Sequence, residues 1–205
     1  YRMLVRSNTA HDNFCTQPWV ETGALSDGNG LIFDDYRNLQ NQSTNGVYSG
    51  RTLVQNNVSF RNGGSGMHAF QSDRIDFVNN TVFGNNSVMD YSQMGFTRVS
   101  DGRMLNNIIV ATTDKAINRV NGDSTQITIA NNLIWGGNGQ CELGDEAIEG
   151  DAKFIDVDGG DFRLRSDSPA IGRGRTWDMA PIQYQNGTER DAGRALTLGA
   201  LPVAH

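Results

Sequence analysis

"LVQNNVSFRN", residues 53–62, sets the fold. It has an apolar pair, then Asn-Asn, then a short alternation that closes on Asn. Four other stretches repeat its form: "LVRSNTAHDN" (4–13), "DFVNNTVFGN" (76–85), "RMLNNIIVAT" (103–112) and "TIANNLIWGG" (128–137). The second Asn of the pair falls at 57, 80, 107 and 132, at spacings of 23, 27 and 25 residues, and Asn8 precedes Asn57 by 49, about two such spacings. Self-similarity at a period in the twenties, carried by short strands and broken by Gly, Asn and Asp, predicts a solenoid. Leucine-rich repeats share the period but need regular Leu spacing and a helical segment, and neither is visible. The reading that fits is all-β, a right-handed parallel β-helix. Asn at one bend then hydrogen-bonds to Asn on the next coil and forms a ladder.

A second element lies out of phase with the first. "DGNGLIFDD" (27–35) and "NGGSGMHAFQSD" (62–73) both run Gly-x-Gly, then a four-residue alternating strand, then a polar corner. Within these strands neighbouring side chains point to opposite faces. With Leu31, Phe33 and Met67 inward, Ile32, Asp34 and His68 point outward, and His68 falls beside Ile32 and near Asp34. Asp27 and Asp35 stand at the bends on either side of the strand. Turn chemistry accounts for Asp27 and Asp35, and least well for Asp34. Three carboxylates on one surface predict a hard cation, so Asp27, Asp34 and Asp35 are the candidate calcium ligands.

Extra residues flank this stretch, "FCTQPWVETGALS" before it and "RNLQNQSTNGVYSG" after it. In a solenoid such insertions become loops on one face, often the binding face. They carry Trp19 and Tyr48, and Tyr36 stands directly before the second, rings suited either to stacking on sugars or to covering the core edge. Arg51 lies at the exit of the second insertion, and Arg98, Lys115 and Arg119 fall near the same face on later coils. His68 beside carboxylates is expected to favour its charged form, placing it to bind an acidic sugar or to move a proton, with Arg51 as the other candidate base.

The whole chain is consistent with this picture. It carries 24 Gly and only 4 Pro in 205 residues, against a helical protein. Net charge is −6, which speaks against a nucleic-acid partner. No apolar run approaches the roughly 20 residues of a membrane-spanning helix. Cys15 and Cys141 fall several coils apart and are expected to be unpaired. Tyr1 opens inside a strand pattern, so preceding coils or a companion chain are expected to cover it. Residues 1–140 are assigned to the coils and 141–205 to final coils with a C-terminal cap. Asp156, Asp158 and Asp161, half of a calcium loop by spacing, are read as turn formers. No Walker loop, C-x-x-C, H-E-x-x-H or G-x-S-x-G is present.

The closing stretch "GDAKFIDVDGGDFRLRSDSPAIGRG" (150–174) resembles the final segment common in bacterial right-handed β-helix proteins. The coil pattern as a whole resembles polysaccharide lyases of the pectate lyase kind, including family nine. That resemblance implies a secreted, periplasmic or extracellular protein acting on a polysaccharide that contains uronic acid, by calcium-assisted β-elimination. "SDGNGLIFDD" is similar in character to the family nine aspartate cluster but spaced differently, and neither Lys115 nor Lys153 corresponds to that family's lysine base. Two other readings stand beside the lyase: a glycoside hydrolase using Asp34 and Asp35 as acid and base, and a non-catalytic glycan-binding or adhesin solenoid.

Overall fold

The computed structural model describes residues 1–137, 139–177, 183–190 and 196–204. The described chain is all-β. Its strands come in repeated threes. The first circuit is β1 (Met3–Arg6), β2 (Thr9–His11) and β3 (Leu31–Asp34). The second is β4 (Thr52–Gln55), β5 (Val58–Phe60) and β6 (Met67–Phe70). The third is β7 (Ile75–Val78), β8 (Thr81–Phe83) and β9 (Ser92–Thr97). The fourth is β10 (Ser100–Leu105), β11 (Ile108–Val110) and β12 (Ala116–Asn121). Then follow β13 (Thr125–Ala130), β14 (Leu133–Trp135) and the short β15 (Ile148–Glu149). Each circuit places one strand in each of three parallel sheets. The first sheet runs β1-β4-β7-β10-β13, the second β2-β5-β8-β11-β14-β15 and the third β3-β6-β9-β12. This succession is consistent with the expected solenoid.

Inward side chains from the three sheets meet in one core. Val54, Phe77 and Met104 come from the first sheet, Val82, Ile109 and Ile134 from the second, and Met67, Met94 and Phe96 from the third. Phe77 and Phe96 stack at 5.0 Å between ring centroids.

The Asn-Asn pairs divide their work. The second Asn of each pair is buried and forms the ladder. Asn57 donates to Asn80 Oδ1 through both its backbone N and Nδ2, each at 3.0 Å. Asn80 does the same to Asn107, and Asn107 to Asn132. Each Nδ2 also donates back to a strand carbonyl, Val5, Val54, Phe77 or Met104. A second ladder joins Asn13, Asn62, Asn85 and Gln93. Buried amides with every hydrogen bond satisfied fix the rungs against slipping. The first Asn makes the corner itself. Asn56, Asn79, Asn106 and Asn131 all have φ between 52° and 58°, the left-handed region that Asn tolerates better than other side chains. Their amides turn outward and hold carbonyls of the C-terminal segment, Asn56 on Gln183, Asn79 on Thr197 and Asn106 on Arg175.

That segment lies along the side of the stack. After β15, an antiparallel hairpin of β16 (Phe154–Asp156) and β17 (Asp161–Leu164) follows. Phe154, Phe162, Leu164, Ala170, Leu198 and Ala200 bury the outer side chains of the second sheet, among them Val58, Phe60, Ile108, Val110 and Leu133. The second sheet is apolar on both faces, so β11 and β14 read as unbroken apolar runs. Trp177 packs on Leu53, Val78, Leu105 and Ala130, outside the first sheet. The expected cap thus flanks two sheets as far as its residues are described; His205 lies outside the described residues. Asp156 accepts the Gly159 N–H at 3.0 Å and Asp161 pairs with Arg163, so both serve the hairpin.

Candidate functional site

The third sheet has an open outer face. Along it the register aligns Ile32, His68, Gly95 and Arg119 in one outward row, and Asp34, Phe70, Thr97 and Asn121 in another. A groove of about 760 Å³ runs over these rows. The insertion before β3 supplies one wall with Cys15, Trp19 and Asp27, the insertion after it supplies Gln40, and the segment before β9 supplies Asp90 and Tyr91. Trp19 stays more than half exposed there.

His68 falls beside Ile32, as the alternation predicts, and shares an outward face with Asp34. Its charge differs from the expectation. Burial pushes its pKa down to about 4, and the Asp27 carboxylate opposes this only in part, so the imidazole is neutral at neutral pH. Phe70 and Tyr91, 6.1 and 6.4 Å away between ring centroids, help to exclude water from it. Its Nε2 lies 3.1 Å from Thr97 Oγ1.

The three acids have separate fates. Asp34 lines the groove, and Gln40 Nε2 donates to it at 2.6 Å. Desolvation raises its pKa, helped by the charges of Asp35 and Asp27 and opposed by the Gln40 bond. Asp35 sits at φ 57° and turns into the following loop. Its oxygens accept the backbone N–H groups of Leu39, Gln40 and Asn41 and the Asn41 side chain. Desolvation works to raise its pKa, but these donors prevail and hold it low. Asp27 (φ 64°) faces the groove, with Ser26 and Asn29 on its carboxylate. With Asp35 engaged in its loop, Asp27 and Asp34 are the two of the three that face the groove, beside Asp90. Among the described residues no group of three or more His, Cys, Asp or Glu side chains gathers as a metal site.

Arg119 is the cation that reaches the groove. Its Nε is buried with no hydrogen-bond partner among the described residues. Between Arg119 and His68, on the strand that separates them, stands Gly95. A Cβ there would lie 2.6 Å from Ser92 Oγ and 3.7 Å from His68 Cδ2, so the position has no side chain of its own between the Arg119 and His68 strands, whose backbones stand about two strand spacings, on the order of 10 Å, apart.

The other residues singled out in the sequence stand apart. Arg51 is held outside the first sheet by Asp76 at 2.7 Å and by Asp101, well removed from the groove face. Tyr36 and Tyr48 pack edge to face at 4.8 Å, with Tyr36 against the core, so the pair covers the core edge. Arg98 lies 5.7 Å over the Phe70 ring, at the groove rim. Lys115 Nζ donates to the Met89 carbonyl at 2.7 Å. Cys15 and Cys141 are unpaired. Gly95, Phe70 and Tyr91 carried no sequence signal of their own; the register of β9 against β6 was the only route to Gly95.

No protein-family model matches this chain, and no curated protein matches it.

Proposed function

We propose that this chain is a right-handed parallel β-helix whose open third sheet binds an acidic polysaccharide and cleaves it by β-elimination. The observation that carries the reading is the side-chain-free position Gly95, flanked by a neutral imidazole and by a guanidinium whose Nε has no partner among the described residues. A uronate carboxylate placed there pairs with Arg119, whose planar fork suits carboxylate recognition. Neutralising that carboxylate acidifies the C5 proton. His68 takes this proton. The C5 electron pair forms the C4–C5 double bond as the C4–O bond breaks, and the departing oxygen takes a proton from Asp34, whose pKa burial raises. The substrate's own negative charge raises the His68 pKa on binding, which strengthens the base where it is needed.

In this reading Arg119 does the work first expected of calcium. Trp19 and Tyr91 offer rings to neighbouring sugars along the groove. Such polymers lie outside cells, which supports a secreted or periplasmic location. Hydrolysis is the second reading, favoured by Asp27 and Asp34 lining the same groove, with Asp27 in place of the engaged Asp35.

Incubation with a panel of acidic and neutral polysaccharides tests the proposal. Elimination yields an unsaturated uronate that absorbs in the ultraviolet. New reducing ends without that absorbance would establish hydrolysis instead, and binding without any product would leave a glycan-binding solenoid.

A further inference from the structure

We propose a second saccharide site, for a neutral pyranose, centred on Trp135 and separate from the groove. The outer row of the second sheet runs His11, Phe60, Phe83, Val110 and Trp135 by register. The C-terminal hairpin covers its middle: Phe162 packs 4.9 Å from Phe60 and 5.5 Å from Phe83, and Phe154 reaches Phe83 at 6.1 Å. Among the described residues the cover stops at Trp135, and the indole is left 48% exposed. It borders a cleft of about 560 Å³ shared with Thr112, Asp151, Lys153, Arg165 and Asp167, within the roughly 300–1,000 Å³ range of small-molecule sites.

The polar side chains of this cleft hold one another in place and retain capacity for a ligand. Lys153 Nζ pairs with Asp167 at 2.6 Å, and Asp151 accepts the Lys153 backbone N–H at 2.9 Å. Arg165 spends Nε and one terminal nitrogen on the Phe154 and Ile155 carbonyls, leaving the other terminal nitrogen. An exposed indole face offers a flat apolar surface to the axial C–H groups of a pyranose. Carboxylates and N–H groups beside it match the alternating donors and acceptors of the ring hydroxyls. Two acids and two bases balance in charge, so nothing here selects a carboxylate as Arg119 does. The ligand class is therefore a neutral hexose or pentose unit, and the function is to hold a glycan that the groove does not cut.

The test is titration of the whole chain with neutral oligosaccharides, cello- and xylo-hexaose, followed by calorimetry and by the indole N–H resonances. The expected result is saturable binding that shifts the Trp135 resonance alone. Trp135→Ala should weaken it at least tenfold, and Trp135→Phe less. Cleavage of a soluble acidic polymer should be unchanged in both variants. If the groove proves non-catalytic, only the cleavage measurement is lost and the binding titration stands. Unaltered binding in Trp135→Ala, or no binding of either hexaose to the wild-type chain, would overturn the second site. Unchanged thermal unfolding of the Phe variant keeps loss of fold apart from loss of ligand.

Discussion

Arg119 and His68 stand on the same outward row of the third sheet, two strands apart, with the side-chain-free Gly95 between them. A ligand group entering between them meets a cation on one side and a neutral proton acceptor on the other. Filling that position should therefore harm binding without harming the fold. In Gly95→Ala the new Cβ would lie 2.6 Å from Ser92 Oγ, a contact that rotation of the hydroxyl relieves. We expect KM for the acidic polymer to rise about tenfold, the usual scale for one methyl group in a binding pocket, with the melting temperature nearly unchanged. Arg119→Lys keeps the charge and loses the fork, and should weaken binding by a similar factor or more. Equal KM in all three proteins would place the substrate elsewhere.

His68 gives the pH dependence. Its pKa in the folded chain is about 4, below the ordinary value near 6.5 that it regains on unfolding. Between these values the unfolded chain binds the extra proton. The stability tied to neutral His68 is thus complete above about pH 6.5 and is lost as pH falls toward 4, roughly 3 kcal/mol in all. His68→Gln should flatten this acid limb in denaturant titrations run from pH 7 to pH 4. In the wild-type chain the acid limb of kcat/KM should fall near pH 4, where the free protein's base is protonated. An acid limb near 6.5 would mean that the imidazole is solvated.

Much of the site was legible before its geometry was known. The Asn spacing located the rungs. The two-residue alternation then placed His68 beside Ile32 and Asp34 on the outward face. What the period does not encode is the path of the insertions. Tyr91 arrives from the segment before β9 and helps to shield His68, which reverses the expected charge of the imidazole. Asp35 is captured by backbone N–H groups four to six residues on, a local loop closure with no signature in the repeat. Arg51 follows an insertion, so it lies one bend past the groove and meets Asp76, a partner 25 residues away. The C-terminal segment was recognisable as non-repeating, but its course along the second sheet depends on outward amides of the Asn-Asn pairs, which were all assigned to the ladder.

Asp34 and Asp35 are neighbours with opposite duties, and conservative amides should separate them. Asp35→Asn loses the charge that gathers three backbone N–H groups and should lower the melting temperature measurably. Asp34→Asn removes one exposed carboxylate held only by Gln40 and should leave the melting temperature nearly unchanged. Its turnover should fall about a hundredfold or more, the usual contribution of a positioned proton donor. Calcium gives a parallel check. Since Asp35 is already occupied, adding a millimolar excess of calcium, or of chelator, should leave the melting temperature unchanged. A calcium-dependent rise that Asp34→Asn abolishes would restore the cation at this site by mass action.

The division of labour within the Asn-Asn pairs makes the sharpest claim about the fold, because it assigns opposite outcomes to adjacent, chemically identical residues. Asn80 is wholly buried. It accepts two hydrogen bonds from Asn57 and donates to Asn107 and to Val54. Asn80→Ala would leave the Asn57 N and Nδ2 donors without their buried acceptor and take the Nδ2 donor from the Val54 carbonyl, while Asn107 Oδ1 keeps only the backbone N–H of residue 80, at about 1–3 kcal/mol for each orphaned group. We expect a loss of at least about 3 kcal/mol, read as a lower midpoint in guanidinium chloride, or failure to fold. Asn79 spends its side chain on one 3.2 Å bond to the Thr197 carbonyl and its backbone on a corner at φ 53°. Asn79→Gly keeps that corner at no steric cost and should fall within about 1 kcal/mol of wild type. Asn79→Ala, forced into the left-handed region, should cost about 1–2 kcal/mol more than Gly. Equal losses at positions 79 and 80 would mean that both amides serve the ladder and that the C-terminal segment is held by its apolar contacts alone.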